Sequence, residues 1–331
     1  MSIRICMIGC GSFARLCHGP AQRKIRDSGA GVELAACCDS DPGSSASYAE
    51  AFGYGRSFSD VRGMLSREKP DAVVMAVPPS VTASVAGEVL GLGFPLLLEK
   101  PPGLTPGELG KLISAEAQGG ARAQVAFNRR YMPVVRRAME LLEGLGGPGG
   151  VGRIDYEMIR YNRWDPDFST TAIHAIDTAI YLARSPFRSA QIRFQEMGDG
   201  ERKAVNVVLD AVCASGTAVQ VKLLPVSAAN SESARIHAVG QSLDLRIPMS
   251  PQFQGDGRVE HWSADSLVSS FSDGAFGPVD RLGVLAETEA FLGGVRTGAP
   301  LAPRLEDCRQ QVALMEAIRT RRTGPITLEA C

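Results

Sequence analysis

A glycine-rich turn near the start of the chain has the residue types and spacing that cradle a phosphate. Gly9, Gly11 and Ala14 form the pattern G-x-G-x-x-A, directly after an apolar run and before a helix-like segment. The first glycine permits a tight turn, the second allows a pyrophosphate to approach, and the small alanine allows close helix–strand packing. Free amides at the helix N-terminus favour an anion. We therefore expect contacts to a dinucleotide from Gly9, Gly11, Ser12, Phe13 and Ala14.

An acidic residue ends the next predicted strand, where such a motif usually has one. Asp39 lies 25 residues beyond Ala14, close to the typical offset of ~20 residues. A carboxylate there accepts hydrogen bonds from the ribose hydroxyls and repels a 2′-phosphate, and Asp41 adds to that repulsion. With no neighbouring Lys or Arg, the pattern predicts NAD rather than NADP. Two alternatives stay open: a turn carboxylate without a ligand, and an S-adenosylmethionine site.

Lys100 is one of only six lysines in the chain and follows a short apolar run. Ligands of parallel sheets bind beyond the carboxyl ends of the strands, so Lys100 should face the binding crevice. A lysine beside apolar walls can exchange protons near neutral pH. The alternative is a salt bridge with Glu99 or a solvated strand end. We expect Glu99, and Pro78 at another strand end, to contact the dinucleotide as well.

A second group of candidates lies in the middle of the chain. His174 and Asp177 stand three residues apart on a predicted helix and so share a face, where the carboxylate could orient the imidazole; Asp177 is more readily interpreted as structural. The segment before this helix is rich in aromatic, acidic and Arg side chains, a combination common in sugar sites but also in solvated loops. These candidates are Tyr161, Arg163, Trp164, Asp165 and Asp167, with Arg129 or Arg130. The other histidines, His18, His237 and His261, are assigned to surface or core.

Apolar runs separated by helix-length segments predict the elements that position these residues. The runs at Ile3–Ile8, 32–38, 72–77, 96–98 and 123–127 indicate a doubly wound parallel sheet, the Rossmann arrangement, over residues 1–125. Residues 126–331 are predicted to form an α+β domain with a large, mostly antiparallel open sheet. Within it we expect helices at 131–143 and 170–183, strands over 151–161 and 190–247, long loops over 248–278, and two closing helices.

Composition restricts the possible partners and locations. The 331 residues carry 35 Lys+Arg and 36 Asp+Glu, a net charge of -1, which provides no field for steering onto nucleic acid or a membrane. No apolar run approaches the ~20 residues of a membrane span. The eight cysteines form no C-x-x-C pair, so we expect reduced, buried thiols, a cytoplasmic location and no metal site.

Taken together, these motifs resemble the Gfo/Idh/MocA oxidoreductases. The resemblance rests on Gly9-x-Gly11-x-x-Ala14, Glu99-Lys100-Pro101, 128–131 (Asn-Arg-Arg-Tyr) and the His174-x-x-Asp177 step, and it continues into the last two helices. It implies a nicotinamide-dependent dehydrogenase of sugars, polyols or related alcohols. It also implies that the open sheet often forms a subunit interface, hence a homodimer or homotetramer.

The resemblance assigns roles residue by residue. Lys100 corresponds to the lysine that binds the substrate hydroxyl, and His174 to the catalytic histidine. Where the family usually has an aspartate, four residues before that histidine, this chain has Thr170; where it often has a further histidine, this chain has Thr82. The expected substrate contacts are Lys100, Arg129, Tyr161, Trp164, Thr170 and His174.

The sequence therefore predicts an NAD-dependent oxidoreductase that moves a hydride between nicotinamide and a hydroxyl or keto carbon of a sugar, cyclitol or related polyol. The departure at Thr170 leaves a catalytically silent NAD(P)-binding sensor or assembly protein as the alternative. A third possibility is an enzyme whose cofactor is recycled in place by a second substrate.

Overall fold

The computed structural model describes residues 2–146, 148–165, 167–249 and 255–328. The chain divides into two compact units. The first comprises Met1–Asn128 and Gly283–Arg309, and the second comprises Arg129–Leu282 and Gln310–Cys331. Among the described residues, no helix combines the length and the apolar character needed to cross a membrane.

The first unit contains a six-stranded parallel sheet, as the apolar runs predicted. Its strands are β1 Ile3–Ile8, β2 Val32–Cys38, β3 Arg56–Phe58, β4 Ala72–Met75, β5 Leu96–Glu99 and β6 Ala123–Ala126. They lie in the order β3-β2-β1-β4-β5-β6. The strands are therefore added to one side of β1 as far as β3 and to its other side from β4 onwards. Such a switch point opens a crevice at the carboxyl ends of the strands. The short β3 was not predicted, because its residues are largely exposed and carry no apolar run.

Helices connect these strands. A π-helical turn, Ala14–His18, leads into α1 Gly19–Asp27. The others in this part of the chain are α2 Pro42–Phe52, α3 Val61–Glu68, α4 Pro79–Gly91 and α5 Pro106–Gly119. The strands are buried almost throughout, which is why their sequences are continuous apolar runs rather than alternating ones.

The second unit is built on a nine-stranded, mostly antiparallel sheet, again as predicted. Its strands are β7 Val151–Tyr161, β8 Phe187–Asp199, β9 Arg202–Cys213, β10 Ala218–Ser227, β11 Ser231–Ala238, β12 Gln241–Arg246, β13 Arg258–Ser263, β14 Ser266–Ser272 and β15 Gly324–Thr327. Their order is β14-β13-β12-β11-β7-β10-β9-β8-β15, and β7 and β10 are the parallel pair.

The remaining helices complete the two units. They are α6 Pro133–Glu143, α7 Ser169–Ala183, α8 Pro278–Arg281, α9 Val284–Thr297 and α10 Arg309–Arg319, with 3-10 turns at Asn128–Tyr131, Pro148–Gly150 and Glu306–Cys308. Helix α7 packs on β7 and β10, and α6 packs on β12 and β13. Both cover one face of the nine-stranded sheet, which explains the alternating burial along its strands.

The expectation of long loops over 248–278 is wrong for residues 258–272. Strands β13 and β14 form a hairpin there, paired to β12; residues 250–254 lie outside the described residues. The sequence hides these strands because β14 is largely exposed and rich in Ser. Pairing with β12, rather than burial of an apolar face, holds them in the sheet.

The division into units also differs from the predicted boundary at residue 125. Gly283–Arg309 lies after the second unit's strands in sequence but is part of the first unit. Arg122 donates to the carbonyl oxygens of Gly294 and Ala299 at 3.2 and 2.8 Å, and the Val125 amide donates to Pro303 O at 2.9 Å. These bonds join two distant segments beside the edge strand β6, which a linear scan cannot anticipate.

A buried carboxylate organises the core of the second unit. Glu232, fully buried on β11, accepts from Arg129 at 2.5 and 3.0 Å and from the Tyr156 hydroxyl at 2.5 Å. Arg160 forms a second ion pair with it. Burial by itself raises the pKa of Glu232, but the Arg129 and Arg160 guanidinium groups outweigh burial and lower that pKa to about 2.

We expect Glu232→Gln to lower the free energy of unfolding by about 3–5 kcal/mol at pH 7, because it leaves two buried guanidinium groups without their carboxylate. Since the folded pKa lies below the ordinary value of 4.5, this stabilisation is present above pH 4.5 and is lost as the pH falls towards 2. Urea unfolding of wild type and variant, followed at pH 7 and pH 3, measures both effects.

The matched control is Glu157→Gln, which removes a half-exposed partner of Lys222. We expect it to change the free energy of unfolding by less than about 1 kcal/mol. Equal effects of the two substitutions at pH 7 would contradict the assignment of a stabilising role to the buried cluster.

Candidate functional site

The turn after β1 is constrained by the neighbouring strand β4. Gly9 has a φ of +87°, and a Cβ atom at this position would stand 2.1 Å from the Ala76 carbonyl oxygen. Only glycine fits there. At Gly11, by contrast, a Cβ atom would meet nothing within 4 Å, so open space remains above the turn. Ala14 is buried at 1 % exposure, where the helical run begins against the sheet.

A cavity of about 440 Å³ opens beside this turn at the carboxyl ends of β1, β2 and β4. It brings together four of the predicted cofactor contacts, Gly9, Gly11, Asp39 and Pro78. The rest of its lining is formed by Ile8, Cys38, Ser40, Ser59, Val61, Ala76, Val77, Val81 and Val85. Apolar walls with a carboxylate at one end suit an adenosine, whose base is flat and apolar and whose ribose offers hydroxyl donors. The residues present therefore fit the predicted dinucleotide.

Asp39 is held rigidly at the end of β2. One carboxylate oxygen accepts from the Cys10 amide at 2.8 Å and the other from the Asp41 amide at 3.0 Å. Each oxygen keeps a second lone pair for a ribose hydroxyl. Asp41 caps helix α2 through the amides of Gly43 and Ser44, and its pKa is lowered by hydrogen bonds from the Ser44 hydroxyl and these amides. Two fixed carboxylates beside the cavity disfavour a 2′-phosphate.

Arg15 is a basic residue at this end of the sheet, and the sequence did not reveal its position. Arg15 donates to the Cys10 carbonyl at 3.0 Å, to the Ser44 carbonyl at 2.9 Å and to the Ser47 hydroxyl at 2.6 Å. Its guanidinium also lies 5.6 Å from the Tyr48 ring centroid. These contacts tie the phosphate turn to α2 and engage the guanidinium within the protein.

The predicted contacts at β5 lie farther along the same strand-end edge and outside the cavity lining. Glu99 ends β5, and Lys100 follows in a half-buried position. The Glu99 carboxylate lies 2.9 Å from Nε2 of His18, a histidine with no exposed surface. His18 is therefore a core residue, the second of the two placements expected for it, but its bond to a predicted site residue was missed. The two residues are 81 positions apart, so no local pattern signals the pair.

In the second unit, His174 lies on α7 with 9 % of its surface exposed. Asp177, one turn later, forms two hydrogen bonds with Arg130, at 2.9 and 2.5 Å, and accepts a third from Gln311 at 3.0 Å. Arg130 also lies over the Tyr181 ring at 5.1 Å. This ion pair supports the structural interpretation of Asp177.

The loop before α7 carries most of the remaining predicted substrate contacts. Tyr161 is 60 % exposed. Trp164 donates to Asn162 at 2.8 Å, and the Arg202 guanidinium lies 4.5 Å from its ring centroid. Thr170 is half-buried at the start of α7. The loop is thus fixed by its own polar contacts, with aromatic surface left open to solvent.

Asp167 and Arg163, two other candidates from this loop, each have a polar partner nearby. Asp167 accepts from the Ser169 amide at 2.9 Å where α7 begins, and Arg163 forms an ion pair with Asp165 at 2.5 Å. The expectation that Arg129 contacts substrate finds no support in its position, because its side chain is 6 % exposed and bonded to Glu232. The sequence could not distinguish it from Arg130, its equally basic neighbour.

A doubly wound parallel sheet with a cavity at its switch point is the arrangement typical of dinucleotide-binding units. Residues 3–127 match the family model described as "Oxidoreductase family, NAD-binding Rossmann fold". Over these residues, the resemblance to the Gfo/Idh/MocA oxidoreductases noted in the sequence is confirmed.

Curated relatives match parts of the chain. D-apiose dehydrogenase of Paraburkholderia graminis is 30 % identical over 151 residues, which are 45 % of this chain and 39 % of the relative. Inositol 2-dehydrogenase 2 of Saccharopolyspora erythraea is 29 % identical over 191 residues, 55 % of this chain and 54 % of the relative. The matched segments thus span about half of these relatives' lengths or less.

The fold similarity extends over nearly the whole chain. A dehydrogenase from Chromobacterium violaceum superposes with a TM-score of 0.84 at 19 % identity, covering 97 % of this chain and 95 % of that one. Levoglucosan dehydrogenase, in a complex with NADH and L-sorbose, superposes with a TM-score of 0.81 at 18 % identity over 100 % of both chains. At these identities the comparison establishes a shared fold.

The two glycines of the turn offer a paired test. The backbone at residue 9 is left-handed, which disfavours any side chain, and the added methyl group would collide with the Ala76 carbonyl. Gly9→Ala should therefore lower the free energy of unfolding by roughly 2–4 kcal/mol. Gly11→Ala should leave it within about 0.5 kcal/mol and weaken NADH binding instead, since the methyl group enters the open space. Urea unfolding and NADH fluorescence measure these effects; normal NADH binding by Gly11→Ala would contradict the assigned role.

Proposed function

We propose that the protein is an NAD-dependent oxidoreductase that transfers a hydride between nicotinamide and a hydroxyl or keto carbon of a sugar, cyclitol or related polyol. One observation carries the proposal: within a unit of NAD-binding oxidoreductase type, the cavity holds Gly9, Gly11 and Asp39 together, and Glu99 and Lys100 lie along the same strand-end edge. The names of the apiose and inositol dehydrogenases support the substrate class.

The proposed roles follow the chemistry of each side chain. Asp39 binds the adenosine ribose, and the turn amides and helix N-terminus bind the pyrophosphate. When bound, the nicotinamide provides the hydride acceptor or donor. The Lys100 ammonium donates a hydrogen bond to the reacting hydroxyl, and His174 takes or returns its proton, a contribution of ~10²–10⁴ in rate.

The remaining proposed contacts are to substrate. Tyr161 provides open aromatic surface of the type that stacks on sugar rings. Trp164, with Arg202 over one face of its ring, offers its other face, and the Thr170 hydroxyl replaces the family's aspartate as a neutral hydrogen-bonding group. Arg129 is omitted from this set because Glu232 engages it.

The first test compares NADH and NADPH by fluorescence titration of the cofactor-stripped protein, followed by turnover of a panel of polyols with NAD. NADH should bind more tightly than NADPH, and Asp39→Ala should reduce that preference. Lys100→Met and His174→Gln should each lower kcat by about 10²–10⁴ without loss of NADH binding. Lys203→Met, at an exposed position of β9, is the control and should turn over normally.

The outcomes separate the candidate functions. Tighter binding of NADPH would overturn the assignment of Asp39, and wild-type turnover by both the Lys100 and His174 variants would overturn the mechanism. Tight NADH binding without turnover of any polyol would favour the catalytically silent sensor, which the threonine at position 170 suggests. NAD retained through purification would favour recycling of the cofactor by a second substrate.

We further propose a homodimer or homotetramer formed through the sheet face that α6 and α7 leave uncovered. This face carries ordered ion pairs, Lys222–Glu157 at 2.8 Å and Arg193–Asp210 at 2.7 Å, so an interface there would be polar and sensitive to salt. A cytoplasmic location is also proposed; the free, buried thiols of the described residues fit a reducing compartment.

The oligomer prediction is checked by light scattering on the full chain. We expect a mass two or four times the 35.1 kDa of the chain at micromolar concentration, falling as salt is raised. A mass of one chain at every concentration would contradict the proposed interface.

A further inference from the structure

His18 links two segments that both belong to the proposed dinucleotide site. It ends the π-helical turn that follows the phosphate loop, and its side chain has no exposed surface. Its Nε2 atom lies 2.9 Å from the carboxylate of Glu99, at the end of β5. The helical turn that follows the proposed phosphate loop and the strand end that precedes Lys100 are therefore joined by a hydrogen bond between His18 and Glu99.

The local backbone explains why His18 reaches Glu99. The Gly19 amide donates to the Ala14 carbonyl, the i-to-i+5 pattern of a π turn, which rotates the following residues relative to a regular α-helix. Pro20 has no amide hydrogen and cannot donate the next backbone hydrogen bond of a regular α-helix. Single π turns of this kind occur frequently at functional sites. The ring of Phe13, in the phosphate loop itself, packs edge-on against His18 with a centroid distance of 5.5 Å.

The chemistry of the pair favours a defined direction for the hydrogen bond. The Nδ1 atom of His18 is buried and has no hydrogen-bond partner among the described residues. A protonated ring would bury a second N–H group without an acceptor, so the neutral ring with its hydrogen on Nε2 fits best. His18 then donates to the Glu99 carboxylate, a charge-assisted bond in a site that is almost closed to water.

The order of the strands shows which part of a dinucleotide this bond concerns. Asp39 holds one nucleoside at the end of β2, and β5 lies three strand spacings away in the order β2-β1-β4-β5, about 14 Å at ~4.8 Å per spacing. A dinucleotide laid along the strand ends with its ribose on Asp39 directs its other nucleoside towards Glu99 and Lys100.

We propose that His18 is a positioning residue for the nicotinamide half of the cofactor, acting through Glu99 to fix the end of β5 from which Lys100 extends. This inference rests on the proposed function, because it presumes that the site binds a nicotinamide dinucleotide. It assigns His18 no contact with the reacting atoms. Its effect is on the nicotinamide end of the site and leaves the adenosine end unchanged.

The test compares NADH with ADP, which has the same adenosine and both phosphates but lacks the second nucleoside, by fluorescence titration and calorimetry on the full chain. His18→Leu removes the donor, and we expect it to weaken NADH binding about tenfold while ADP binding stays within about twofold. His18→Gln keeps an N–H donor of similar reach and should restore most of the NADH affinity. His261→Leu is the matched control, since it removes a comparable histidine bond, 2.8 Å to Gln241, from the second unit.

Each outcome bears on the proposal. Equal loss of both ligands in His18→Leu, at an unchanged melting temperature, would show that His18 supports the phosphate loop alone and would overturn the inference. Unchanged binding of both ligands would overturn it as well. If His18→Leu fails to fold, His18→Asn decides in the same titrations, because its shorter side chain stays polar but cannot span the distance to Glu99, and the loss must again be confined to NADH. A wild-type protein that binds neither ligand would overturn the proposed function and this inference with it.

Discussion

The candidate site depends on how closely the backbone after β1 passes β4. A side chain at Gly9 would stand 2.1 Å from the Ala76 carbonyl oxygen, so the chain can make this turn with glycine alone. The turn directs the helical run away from the sheet at the switch point, where the strand order reverses between β1 and β4. The open space above Gly11 and the fixed carboxylate of Asp39 both follow from it, because each is positioned by the backbone that leaves this turn.

Buried or fixed carboxylates organise the rest of the molecule, with different consequences in the two units. In the first unit, Asp39 and Glu99 each use part of their bonding capacity within the protein and lie along the edge where a dinucleotide would bind. In the second unit, Glu232 and Asp177 are each bonded to arginine in the core. The first pair lies at the edge where we propose that the dinucleotide binds, whereas the second pair is bonded to arginine side chains in the interior of the second unit.

The two faces of the large sheet in the second unit differ in chemistry. One face carries apolar residues against α6 and α7, and the other carries cross-strand ion pairs such as Lys222–Glu157. Because these charges are already paired and polar, leaving that face exposed to water costs little free energy. Any partner must therefore compete with existing bonds, and association through this face would be governed by charge more than by apolar area.

The sequence by itself determined the parallel sheet of the first unit, because β1, β2 and β5 are buried on both faces and must be continuous apolar runs. It also indicated the phosphate turn, because the G-x-G-x-x-A spacing directly after an apolar run is a local pattern, although the clash that requires glycine at position 9 comes from the distant Ala76. The tertiary structure decided the rest. The hairpin of β13 and β14 is held by pairing rather than by an apolar pattern, and the return of Gly283–Arg309 to the first unit depends on bonds to Arg122 and Val125.

The identical residue types at positions 129 and 130 acquire different partners, and the bond from His18 to Glu99 joins residues 81 positions apart. Contacts over such distances depend on which elements meet in space, and one-dimensional spacing carries no record of that.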